Sequence, residues 1–144
     1  MKLEDIKTAV ENDIEIDRTE LDQEALKTPQ LHNKYLNILN DEKLLQFKYE
    51  NDLNQLRKYK WLHYTGKLSE EQLKELDWEP FELSILKQDI DKFMSADDDI
   101  IELKSKLEFQ RRKVDYLESI IKMINNRQWL IREAIDWIKF TNGV

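Results

Sequence analysis

The stretch RKYKWLHYTGK at residues 57–67 sets Arg57, Lys58, Lys60 and Lys67 among Tyr59, Trp61 and Tyr64 without one carboxylate, in a chain whose formal net charge is -7. Cations track phosphates, and flat rings stack on bases without choosing among them, so this combination suits a contact with single-stranded nucleic acid. At about 100° per helical residue, Arg57, Lys58, Trp61 and Tyr64 fall on one side. Leu45, Tyr49, Leu56, Tyr59 and His63 fall on the other, with Lys60 at the flank. Stacking on one ring contributes about 1 to 3 kcal/mol per base. The plainer reading is a capped helix end: Lys and Arg in a last turn complement the negative end of the dipole, Gly66 marks such an end, and the segment around Trp78 could cover Trp61. Composition alone leaves both readings open. Net acidity does not decide either, because a local patch acts within a screening length of roughly 8 to 10 Å.

Other chemistry is thin. There is no cysteine, which excludes disulfides and thiolate catalysis. His32 and His63 stand far apart, and no Gly-rich phosphate loop or nucleophile motif occurs. Asp97, Asp98 and Asp99 suit a hard cation, but adjacent side chains on a helix diverge by about 100° each, so they are read as a helix start after Ser95 rather than a metal site. The expectation is a protein that is not an enzyme, with no metal and no cofactor. No run of about 18 uncharged apolar residues is present, and the first residues lack the apolar core of a signal peptide, which points to a soluble intracellular protein with no membrane partner.

The elements that must carry the island are helical. Only two Gly and two Pro interrupt a chain that is 37% charged, which favours long helices. Leu3, Ile6 and Val10 predict a short helix over residues 3–11. Ile14 and Ile16 alternate with acids, which suggests a strand-like connector before a helix capped at Asp17 or Thr19. Thr28 as N-cap and Pro29 as first helical residue predict the start of a long helix that runs to Tyr64 and ends at Gly66. Its ~36 residues would extend ~54 Å, against roughly 37 Å for a compact sphere made from a chain of this length. Ser69 with Glu71 and Gln72 following predicts a short capped helix, broken by Pro80.

Downstream, Ile100, Leu103, Leu107, Val114, Leu117, Ile121 and Ile124 follow steps of three and four, with Gln110 in the one polar place. This is a heptad seam, and the polar residue can fix its register. The RRK run at residues 111–113 is expected to line this helix. A final helix from about Arg127 to Phe140 carries Trp129, Leu130, Ile131, Ala134, Ile135, Trp137 and Ile138 over more than one stripe. Such a helix is buried in a core or between subunits. Leu117, Ile121, Ile124, Trp129, Leu130, Ile131, Ile135, Trp137 and Ile138 are therefore the candidate oligomer interface. The expected architecture is all-α and elongated, with one long helix, a heptad-seam helix and a C-terminal oligomerisation helix. Residues 1–94 would form an N-terminal region with the basic and aromatic patch, and 95–144 a C-terminal oligomerisation region. A helical scaffold that binds protein partners without nucleic acid is the competing reading.

Taken in order, KLEDI, IDRTELDQEALKTPQLHNKYL, RKYKWLHYTGK and MSADDDI resemble the UvsY recombination mediator proteins of T-even-like phages. The resemblance implies a non-enzymatic protein that binds single-stranded DNA and assembles into a ring-like homo-oligomer, a hexamer or heptamer. It would help load a phage RecA-like recombinase onto DNA covered by single-stranded DNA-binding protein, in the cytoplasm of the infected bacterial host. It also implies that the basic pair before the Tyr-Thr-Gly signature, Lys58 and Lys60, contributes to DNA binding, within a set of Arg57, Lys58, Lys60, Trp61, Tyr64 and Lys67. Where the family pattern carries arginine at the second place this chain has Lys60, which keeps the charge and loses the planar fork. Residues 67–90 match little, and the implied roles stop there.

Overall fold

The computed structural model describes residues 1–144 and is all-α: α1 (Leu3–Asp13), α2 (Leu21–Tyr64), α3 (Glu70–Leu76), α4 (Lys87–Ser95) and α5 (Asp98–Thr141). No helix is long and apolar enough to cross a membrane. The chain divides into two compact units, one of Met1–Lys43 with Arg112–Val144 and one of Leu44–Arg111.

In the first unit, Ile6 and Val10 of α1 meet Tyr35 and Leu39 of α2 and Val114, Leu117, Ile120 and Ile124 of α5. Each fully buried side chain of this kind contributes about 1.5 to 3 kcal/mol. In the second, Leu53 of α2 packs with Ile100 and Leu107 of α5, and Tyr49, Leu56, Met94 and Leu103 lie against them. The heptad seam is thus present and is spent inside the chain, with Gln110 buried at its polar place. The basic run does line α5: Arg111 pairs with Glu50 at 3.6 Å, and buried Lys113 pairs with Glu42 at 3.3 Å.

Three helix boundaries differ from expectation, each for a polar reason. Residues 15–17 form no strand; instead the Asp17 carboxylate accepts from the Thr19 backbone N–H at 2.9 Å and hydroxyl at 2.6 Å, turning the chain into α2. Pro29 does not open α2 but lies inside it. A proline there removes one i to i-4 hydrogen bond and leaves the Ala25 carbonyl without its helical donor. Gln128 Nε2 of α5 donates to that carbonyl at 3.0 Å. One residue earlier on each helix, Arg127 donates to the Glu24 carbonyl and carboxylate, and also to the Thr28 hydroxyl. Thr28, expected as an N-cap, is thus a buried partner of Arg127. The third difference lies at the same place: the chain does not break at Asn125-Asn126-Arg127 but stays helical throughout α5, with Arg127 and Gln128 bonded to α2.

Candidate nucleic-acid interface

The island ends α2 as its glycine requires. Gly66 takes a left-handed conformation, with φ of +69°. Its N–H donates to His63 O at 3.1 Å and that of Lys67 to Leu62 O at 2.8 Å, closing the last turn. The chain then enters α3 through the expected capping box, Ser69 with Gln72, and leaves it at Asp77, itself left-handed with φ of 57°.

The six candidate contacts do not share one environment. Arg57 and Lys58 are exposed and take part in no ion pair; the Lys58 ammonium lies 5.7 Å from the Tyr59 ring centroid. Trp61 is 41% exposed, and Lys67 holds its ammonium 4.5 Å from that ring's centroid. Trp78 does not cover Trp61. It packs beside His63, 5.2 Å between centroids, and under the Lys60 ammonium at 4.3 Å.

Lys60 and Tyr64 differ from the other four in their surroundings. Lys60 does not lie free on the flank: it is 6% exposed, and its ammonium pairs with Asp99 at 2.7 Å and Asp97 at 3.1 Å. The Tyr64 hydroxyl donates to Asp97 at 2.6 Å, and its ring meets Phe81 edge-on at 5.0 Å. Asp97, and not Ser95, is the cap of α5, since its other carboxylate oxygen accepts from the Ile100 N–H at 3.0 Å. Ser95 is the last residue of α4.

The charges are mutually fixed. Burial alone would raise the Asp97 carboxyl, but hydrogen bonds from Tyr64, the Ile100 N–H and Lys60 outweigh it and hold the group below the ordinary carboxylate value. Burial would lower Lys60, and the bonds to Asp99 and Asp97 reverse that and raise it. Burial and the bond to Asp97 raise Tyr64, keeping its hydroxyl a donor. The arrangement clamps the last turns of α2 onto the first turn of α5, and the exposed side chains of the island are displayed by that clamp.

Sequence reasoning assigned Lys60 by its position in a basic run and missed Asp97 and Asp99 as its partners. Tyr64 of the Tyr-Thr-Gly signature and Asp97 of the Ser-Ala-Asp-Asp-Asp signature are hydrogen-bonded to each other across 33 residues of sequence.

The C-terminal candidates also separate. Leu117, Ile124 and Ile131 are buried within their own unit and Ile121 packs against its core. Trp129, Leu130, Trp137 and Ile138 are exposed, between 42% and 65%, and Ile135 is half-buried. Phe140 adds a further exposed ring 5.8 Å from Trp137.

Exposed cations beside rings at the end of a long helix make a surface that can meet a nucleic-acid strand. The chain belongs to the UvsY family: the family model described as "Recombination, repair and ssDNA binding protein UvsY" matches residues 9–144. The recombination protein uvsY of Enterobacteria phage T4 is 25% identical over 143 residues, covering 99% of both chains. Two crystal structures of the bacteriophage T4 recombination mediator protein UvsY share the fold. One has a TM-score of 0.84 at 23% identity, covering 97% of this chain and 99% of that one; the other has a TM-score of 0.82 at 22% identity, covering 99% and 98%.

Proposed function

We propose that the chain is a non-catalytic recombination mediator that binds single-stranded DNA as a homo-oligomer and promotes loading of a RecA-like recombinase onto DNA coated with single-stranded DNA-binding protein. It acts in the cytoplasm of the infected bacterial cell. The observation that carries the reading is the free display of Arg57, Lys58, Trp61 and Lys67, two cations without ion pairs and a ring with a third cation over it, at the clamped end of α2. Family membership supports the same reading. Lys60 and Tyr64 act in it as positioning residues.

Three exposed cations per chain give a weak grip. Clustering several copies makes the second and later contacts intramolecular, so avidity supplies the affinity. The exposed Trp129, Leu130, Trp137 and Ile138 supply the clustering surface within residues 95–144, with Ile135 at its edge, and the patch itself lies in residues 1–94. The ring would hold six or seven copies. The seam residues Leu117, Ile121 and Ile124, together with Ile131, support that surface from beneath. The Trp137→Ala/Ile138→Ala double variant is expected to lose subunits by light scattering; an unchanged particle mass would place self-association elsewhere.

Fluorescence anisotropy with labelled oligo-dT at several salt concentrations tests the DNA contact. Each cation that neutralises a phosphate adds about -0.7 to the slope of log affinity against log salt. The Arg57→Ala/Lys58→Ala double variant should therefore bind more weakly and with a shallower slope, while keeping its helix content and denaturation midpoint. Binding that is indifferent to this pair would favour a helical scaffold that recognises proteins instead.

A further inference from the structure

Beside the island, within the second unit, lies an open cleft of about 560 Å³, walled by Trp61 and Lys67 on one side and by Glu82, Lys87 and Asp91 on the other. The volume falls within the ~300 to 1,000 Å³ of sites that hold small organic groups. Residues 82–91 belong to the segment between α3 and α4 and to α4 itself, where neither the basic run nor the resemblance assigns a role.

The cleft joins three kinds of group. Lys67 holds its ammonium over one face of the Trp61 indole, 4.5 Å from the centroid, and a base would take the other face. Lys87 is exposed and forms no ion pair, so its ammonium is available to a second anion. Glu82 is exposed and unpaired, and so is Asp91. Carboxylates in a cleft that otherwise serves a polyanion are costly unless they accept hydrogen bonds from the ligand. A nucleobase is a ligand with both requirements: a flat face for the indole and, in cytosine, adenine and guanine, an exocyclic amino group that a carboxylate can accept from. Thymine has no such group. The mixture of signs argues against a purely acidic peptide, which Glu82 and Asp91 would repel.

We infer that this cleft is a nucleotide slot of the single-strand surface, in which a base stacks on Trp61, Lys67 and Lys87 hold the phosphates on either side of it, and Glu82 and Asp91 accept from the exocyclic amino group. The inference rests on the single-strand reading above and adds to it a second wall and a base preference. The slot therefore favours amino-bearing bases over thymine, and Lys87 is a DNA contact although it lies outside the basic run.

The test uses the full-length protein and labelled oligo-dC and oligo-dT of equal length, in anisotropy titrations over a salt series. Wild type should bind oligo-dC about fivefold more tightly than oligo-dT. Lys87→Ala should weaken both and reduce the salt slope by about 0.7 per site. Glu82→Gln/Asp91→Asn should tighten oligo-dT, because repulsion is removed, and bring the two affinities together. Equal wild-type affinities that the carboxamide pair leaves equal would overturn the base preference. Lys87→Ala binding like wild type, while Arg57→Ala/Lys58→Ala loses binding, would overturn the slot and leave the single-strand reading standing. Wild type binding neither oligonucleotide would overturn that reading itself. A circular dichroism melt of each variant separates loss of binding from loss of fold.

Discussion

Two of the buried cations, Arg127 in the first unit and Lys60 in the second, solve different problems with the same chemistry. Arg127 is 4% exposed and serves α2 where Pro29 has interrupted it, binding the Glu24 carboxylate and carbonyl and the Thr28 hydroxyl. Lys60 is 6% exposed and fastens the end of α2 to the start of α5 through Asp97 and Asp99. The first unit has eight buried apolar residues in its cluster and the second has three, so the polar pair is an addition to a large core in one case and a principal fastening in the other. The comparison teaches that a positive residue in a basic run can be structural, and that its partners decide.

Breaking each pair sharpens the contrast. Arg127→Ala should have the largest effect, about 3 kcal/mol of stability in urea unfolding, because it leaves the buried Glu24 carboxylate to the exposed Lys27 alone, 2.9 Å away, and bares the Thr28 hydroxyl. Lys60→Ala should cost less, about 2 kcal/mol, since Asp99 is 56% exposed and water can relieve it. Like Lys58→Ala it should weaken DNA binding, but through the lost order of the α2 terminus and together with a loss of stability that Lys58→Ala does not show. If Lys60→Ala leaves the unfolding midpoint where it was while abolishing binding, Lys60 is a direct contact and the clamp is misassigned.

The proline side of the comparison can be tested by a double-mutant cycle. Gln128→Ala should cost about 1 kcal/mol in wild type, where it bares the Ala25 carbonyl, and close to nothing in a Pro29→Ala background, where residue 29 regains an N–H for that carbonyl. Additive effects would deny the coupling.

The smallest effect is expected in acid. The folded-state carboxyl of Asp97 is held below its ordinary value of 3.8. Its stabilisation is therefore complete above that pH and is lost as pH falls through the lowered folded value. Asp97→Asn, which keeps a capping oxygen, should flatten the acid limb of the stability curve around and below pH 4 and leave the alkaline limb to Lys60. Equal acid limbs in the two proteins would mean that other carboxylates govern it.

What the sequence made legible was periodic. Ile100, Leu107, Val114, Leu117 and Ile124 advertise their seam because apolar spacing follows the helix repeat, and Gly66 and the Ser69 capping box advertise helix ends because local geometry demands those residues. What stayed hidden was pairing at long range. Nothing in the neighbourhood of Pro29 reveals that Gln128 stands ready to accept its consequence, so an ordinary N1 proline was the natural reading. Nothing beside Lys60 reveals Asp97, and the island was therefore assigned one cation too many at its surface.

The first unit is assembled from both ends of the chain, and its Lys113 to Met1 contact spans 112 residues, whereas the Lys60 to Asp99 contact of the second spans 39. A polypeptide leaving the ribosome thus has every partner of the second unit in hand before translation reaches residue 112. The first 43 residues can make only their own pairs, such as Asp13 with Lys34 and Tyr35, and must wait for the rest of their core until the closing stretch of the message has been read.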